Sequence, residues 1–315
     1  MSTSHRLALA VVACLLSTSA LAVPAPSTAP GAATATAPAN PPVGSVVSAV
    51  QSPAWLVHGG TATPLRPGMT VTDGDTLRTA AGGRVYLQLP EHSTVKLGEN
   101  TEFMTPSMAM AKDDQGAMFK GVLHILKGVF RFTTSLVGHS ERRHVDIQVG
   151  VATIGVRGTD VWGRAGGDGS LVALLEGKVS MDMPGHTGMT MEQPMHYMTM
   201  AAGGADMKMG MDVTPDKVAD WAAQTDVAAG SGVLSNDGKW ALALLSSNSE
   251  DDILDLTGTL AEAGYPAEDV LVTVSGKQWH RLVITQVSSL KDARALAVKV
   301  GKISPLMKPW PYQPK

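Results

Sequence analysis

The chain has one cysteine, Cys14, and it lies close to the start. Intramolecular disulfides are therefore excluded, and the body of the chain has no thiol for catalysis or metal binding. Aromatic residues make up only 4%, so the cores must be built from Val, Leu, Ile, Ala and Met. No apolar run approaches the roughly 18 residues that a membrane-spanning helix needs. No lysine–arginine cluster stands out, and 25 basic residues face 28 acidic ones, which argues against a nucleic-acid partner. There is no Gly-x-Ser-x-Gly elbow and no phosphate-cradling glycine loop. His139-Ser-Glu-Arg-Arg-His144 superficially looks like a zinc motif, but the spacing is wrong, and His144 opens an alternating stretch that reads as a strand. No enzyme and no cofactor is legible.

What the chain does have is glycine and proline, 33 and 19 residues among 315, which suit a turn-rich, β-heavy architecture of about two domains. Residues 1–22 read as a secretory signal. Arg6 precedes the apolar run Leu7 to Leu16, and Ala20-Leu21-Ala22 offers small residues for cleavage. Val11-Val-Ala-Cys14 loosely matches a lipoprotein box, so lipid anchoring through Cys14 stands as the lesser alternative to simple cleavage. Export to the periplasm is the expectation. Loss of Arg6 with the leader leaves 24 basic residues against 28 acidic, a formal charge of −4. Residues 23–42, rich in Ala, Pro and Thr, cannot bury enough surface to offset ordering and read as a linker.

From 43 to 213 the pattern is strand and turn. Arg84-Val-Tyr-Leu-Gln-Leu89 and His144-Val-Asp-Ile-Gln-Val149 alternate as half-buried strands should. Gly82-Gly83 and Gly166-Gly167-Asp168-Gly169 mark turns. A sandwich, a roll and a solenoid-like sheet all fit. Thr76 to Leu89 with Ser93 to Gly98, and Val151 to Thr159 with Leu171 to Val179, together resemble the FecR domain, a β-rich periplasmic module. Gly155, Arg157, Gly158 and Thr159 carry the strongest local match. The glycines permit close backbone approach, and the Arg157 fork is expected to latch a neighbouring carboxylate or carbonyl as a structural clamp. FecR proteins that transduce iron signals add a cytoplasmic anti-sigma segment and a membrane span; neither is legible here, so direct transcriptional signalling is not expected.

Residues 214–236 read as a connector helix. Thr214 is the N-cap, Pro215 sits in the first turn, Gly230 is a plausible stop, and Trp221 packs onto the β-domain. Residues 237–304 read as an independent unit. Lys239 to Leu245 forms a strand, and Ser249 caps a helix that buries Ile253, Leu256 and Leu260 and stops at Gly264. Two strands about Gly276 follow. Ser289-Leu-Lys-Asp292 is a capping box for the last helix. The order β-α-β-β-α, with room for a short last strand, is a ferredoxin-like plan. That order, with the Trp240 strand, Leu-Ala-Glu-Ala-Gly264 and His280 to Thr285 followed by Ser288 to Ala293, resembles the SPOR domain. The chain as a whole therefore reads as multidomain, an all-β unit followed by an α+β one.

The SPOR resemblance implies binding of peptidoglycan glycan strands on the open sheet face, and hence a place in the cell envelope and cell division. Strand parity turns Ala241, Ala243, Trp279, Arg281 and Val283 outward. Trp279 and Arg281, with Ser246 and Gln286 at the rim, are the expected glycan contacts, although an outward Trp279 equally suits a dimer or domain contact. The glutamine, glycine and phenylalanine usual in the family's first strand are replaced by Ala243, Leu245 and Ser247. For the FecR-like domain the expected partner is an envelope protein of unknown identity. Residues 305–315 read as a Pro-rich tail.

Ten of the 17 methionines fall between Met181 and Met211. Met183, His186, Met189, His196 and Met198 offer thioether and imidazole donors suited to Cu(I) or Ag(I). Alternation in the same stretch suits core strands written in methionine. Both readings stay open, as does a purely structural assembly role without glycan binding.

Overall fold

The computed structural model describes residues 44–314, apart from 115, 135–141, 205 and 212. The leader with Cys14, the 23–42 linker and the first half of the His139–His144 stretch lie outside the described residues.

The first half is a sandwich of two sheets. One contains Ser45–Gln51, Arg84–Gln88, Thr94–Leu97, Asp160–Gly166, Gly169–Glu176, His196–Ala201 and Met207–Gly210. The other contains Ala54–His58, Thr76–Thr79, Glu102–Asp113, Arg142–Val149, Ala152–Val156, Val179–Met183 and His186–Met191. Gly116–Thr133 belongs to both. Its first part pairs in parallel with Arg142–Val149, and its last part pairs with Thr94–Leu97 and Asp160–Gly166. The alternation explains the sandwich: Val85, Leu87, Val95 and Leu97 of one sheet and Leu77, Ile147 and Ile154 of the other point into one apolar core.

The connector helix α1, Pro215–Thr225, starts as expected: Thr214 accepts the Lys217 N–H at 3.3 Å. It stops at Asp226 rather than Gly230. There Lys96 holds the Asp226 carboxylate at 2.6 Å and the Tyr86 hydroxyl accepts the Val227 N–H at 2.9 Å, which pulls the chain into extended geometry. Trp221 stacks on Trp162 with centroids 4.6 Å apart, as the sequence led one to expect of a docking tryptophan.

The C-terminal unit follows Trp240–Ser247, α2 (Glu250–Glu262), Glu268–Val274, Lys277–Val287, α3 (Leu290–Val300) and Trp310–Tyr312. The turn between its central strands is Ser275-Gly276, both at positive φ, as a two-residue hairpin requires. The last strand comes from the segment read as a Pro-rich tail: Trp310, Pro311 and Tyr312 lie opposite Ala243, Leu242 and Ala241. Pro311 is tolerated because this is an edge strand, where a missing N–H need face no neighbour.

This unit is not independent of the sandwich: the described residues of both belong to one compact body. Val233–Ser235 pairs with Ser45–Gln51 on one side, and Leu234 lies opposite Val287 on the other, so one sheet runs through both. Trp55 donates its indole N–H to the Ala261 carbonyl at 2.9 Å. Gly264 stops α2 at a φ of +78°, and a Cβ there would lie 2.6 Å from the Trp55 ring. Gly264→Ala should therefore meet backbone strain and a clash at once, destabilising by about 2–3 kcal/mol. Chemical denaturation checks this; a loss below about 0.5 kcal/mol would mean that Trp55 moves aside freely.

Candidate functional site

The outer face of the C-terminal sheet is floored by small residues. Register places Trp310, Ala243, Val283 and Glu268 in one row across it, and Ser246, Arg281 and Val270 in the next. The helices cover the opposite face, where Leu242, Leu244, Leu282 and Ile284 pack with Ile253, Leu256, Leu260 and Leu296. A bulge at Leu244–Leu245 shifts the register. Simple alternation would have put Ser246 on the helix side; the bulge brings it round to the side of Arg281.

Arg281 reaches diagonally over the middle strand. Its guanidinium carbon stands 5.5 Å from the Trp310 ring centroid, and its Nε donates to the Ser246 hydroxyl at 3.0 Å. This corrects the expected surface. Ala241, Ala243 and Val283, read as outward and available, are at most 1% exposed. They share the outer face by register, Ala243 and Val283 in the row of Trp310 and Ala241 opposite Tyr312. The exposed layer is thus a cation stacked on a ring over an alanine floor, with Trp310 itself 39% exposed.

Of the four expected glycan contacts, the structure joins Arg281 and Ser246 directly and puts half-buried Trp279 one step further along the same face. Gln286 does not join them. It lies five residues along the strand, about 16 Å away, at an irregularity with φ +57° where the sheet meets Val233–Ser235. Sequence reasoning missed Trp310 and Tyr312. Their period-two spacing about Pro311 was the available signal.

The FecR-like stretch is divided by Gly158, whose φ is +66°. Gly155 is required by close approach, since a Cβ would lie 2.5 Å from the Ser180 hydroxyl. Thr159 is buried, and its N–H donates to the Thr134 hydroxyl at 3.1 Å. Arg157 departs from the expected clamp. It is exposed and makes no hydrogen bond or ion pair with another described residue; the Gly158 turn leaves it at the rim of a depression of about 380 Å³ shared with His144, Lys178, Ser180 and Glu192. The clamp is instead Arg131, whose fork holds Asp160 at 2.9 and 2.6 Å.

The expected soft-metal set does not assemble. Met183 and Met198 are core residues, 5% and 0% exposed, alongside Met181, Met191 and Met200. Met189 packs partly against that core, and His186 is exposed on the Met183 hairpin. His196 lies in the other sheet from that hairpin.

Comparison with known proteins gives two domain matches. The FecR protein family model matches residues 75–180, and the SPOR domain model matches residues 236–308. No curated protein matches the chain. Among solved structures, two crystal structures of a protein assigned as an anti-sigma factor from Parabacteroides distasonis ATCC 8503 are each 16% identical. One covers 73% of this chain and 91% of its own with a TM-score of 0.39. The other covers 76% and 99% with a TM-score of 0.38, a likeness too distant to bear on function. SPOR domains bind peptidoglycan, and neither matched family is catalytic. Among the described residues no helix is long and apolar enough to cross a membrane. The chain thus carries a FecR domain over residues 75–180 and, after it, a SPOR domain over residues 236–308.

Proposed function

We propose that this chain is a non-enzymatic periplasmic protein, delivered by a cleaved leader, that holds peptidoglycan glycan strands on the outer face of its SPOR domain. The observation that carries this reading is the Arg281–Trp310 stack, flanked by Ser246 and Trp279. A sugar needs a ring for its C–H faces and rigid donors for its hydroxyls and N-acetyl oxygens. Trp310 supplies the ring, and Arg281, steadied by Ser246 and the stack, supplies N–H groups that lose little freedom on binding. The FecR domain then serves protein interaction or scaffolding. Because one sheet runs through both domains, a wall-bound chain would hold its FecR surface at a fixed angle to the wall.

Retention on purified sacculi tests this with the full chain. The intact protein should stay on the sacculi and be released by muramidase digestion of the glycan. Arg281→Ala and Trp310→Ala should each weaken retention about tenfold or more, equivalent to about 1.4 kcal/mol. Passage of the intact, folded chain straight through would refute glycan binding and favour a purely structural role.

A further inference from the structure

Of the four most exposed methionines among the described residues, three lie between Met195 and Met211, and Met110 lies elsewhere. Met195, Met209 and Met211 are 40%, 53% and 68% exposed, whereas Met181, Met191, Met198 and Met200 are nearly sealed. Large apolar side chains left in water at one sheet edge call for an explanation that packing does not supply.

Register shows what they surround. Tyr197 lies opposite Gly210, and Met198 lies opposite Met209. Strand alternation puts His196 on the same face as Met198 and Met209, and Met211 follows directly after the strand's last residue, Gly210. His196, Met209 and Met211 open on a depression of about 740 Å³, closed from the other sheet by Thr190 to Gln193, including the Glu192 carboxylate. Met195 secures the geometry. It takes a φ of +63°, rare for a side chain of this kind. Its N–H donates to the Leu174 carbonyl at 2.8 Å, and its carbonyl accepts the Val213 N–H at 2.9 Å. That last bond brings the chain after Met211 back across the start of the His196 strand.

We infer that His196, Met209 and Met211 form a binding site for one soft monovalent cation, Cu(I) or Ag(I). Two thioethers and an imidazole match the preferences of these ions, and Glu192 adds a negative charge at the rim. Hard-ion chemistry is not the alternative: among the described residues no group of three or more His, Cys, Asp or Glu gathers to hold a metal. The site shares only His196 with the Met183, His186, Met189, His196 and Met198 set that spacing alone picks out.

Silver(I) is the probe, because it avoids the redox chemistry of copper. The full chain, titrated with Ag(I) against a competing chelator, should take up one equivalent, with the ε-methyl resonances of Met209 and Met211 shifting together. The double variant Met209→Leu/Met211→Leu preserves apolar volume and should keep the fold by circular dichroism while weakening uptake by about tenfold or more. Met183→Leu/Met189→Leu and Met110→Leu should bind as the parent does. Failure of the parent to bind at micromolar competition overturns the site. So does uptake that survives the Met209/Met211 change or vanishes with the Met183/Met189 change.

Discussion

Trp221→Ala should destabilise the chain by about 3–5 kcal/mol, one of the two largest single-residue effects expected. Trp221 is 4% exposed and lies flat on Trp162, the planes within 8°. The Trp162 indole N–H donates to the Trp221 carbonyl at 3.1 Å, so the contact is anchored by ring and backbone alike. Val129, Ala173, Leu175 and Val213 complete a small core separate from that of the sandwich. Stacking adds about 0.5–1.5 kcal/mol to the burial. With 11 residues, α1 is too short to persist without this packing. The approach is tight: a Cβ at Gly98 would lie 2.5 Å from the Gln224 carbonyl. Denaturant unfolding should show the lost stability, and far-ultraviolet dichroism should lose the exciton signal of two stacked indoles. A cost under about 1 kcal/mol would mean that α1 is not docked as described.

The same helix shows where sequence reasoning reached and where it stopped. Its cap at Thr214 and its anchor at Trp221 were legible because both follow from residue type and local spacing. Its end was not, because Asp226 is held by Lys96 and Tyr86, 130 and 140 residues earlier. The C-terminal domain repeats this lesson. Ser249, Ser289 and Gly264 announce caps and stops locally, and the order of elements followed from them. The bulge at Leu244–Leu245 and the fourth strand at Trp310–Tyr312 depend on pairing partners that composition does not reveal. Those two features decide the site: one turns Ser246 toward Arg281, and the other supplies the ring on which Arg281 stacks. Arg157 was misjudged for a related reason. A guanidinium beside a glycine turn promises a partner, but the partner pair was Arg131 and Asp160, 29 residues apart in sequence and brought together by neighbouring strands. In the methionine stretch, alternation separated core from edge only once the edge strand was known.

Asp292 carries the second large effect, and its sign with pH follows from the structure. At 2% exposure it is a buried acid. One oxygen accepts the N–H groups of Gly230, Gly232 and Val233 at 2.7, 3.1 and 3.1 Å. The other accepts the Ser289 hydroxyl, while Ser289 accepts the Asp292 N–H at 3.1 Å. The helix is capped as the sequence led one to expect, but the carboxylate that a capping box would turn back on Ser289 N–H instead gathers the strand entrance that joins the two domains. Burial alone would raise its pKa; the Ser289 hydroxyl and the three backbone donors outweigh it and hold the carboxyl below the usual carboxylate range. A depressed folded pKa means stability that is fully present above the unfolded value, near about 3.9, and lost as pH falls through the folded value. Asp292→Ala leaves two buried donors and one half-buried one without their acceptor and should cost about 3–5 kcal/mol at neutral pH. Asp292→Asn keeps a neutral acceptor and should cost less, about 1.5–3 kcal/mol. The gap between the parent and Asp292→Asn should be constant above about pH 5 and close as pH falls below about 4, because a protonated Asp292 is then as neutral as the amide. Urea unfolding of both proteins across that range measures it, and a gap that stays constant down to the acid limit would show that the carboxylate charge contributes nothing to holding the two domains together.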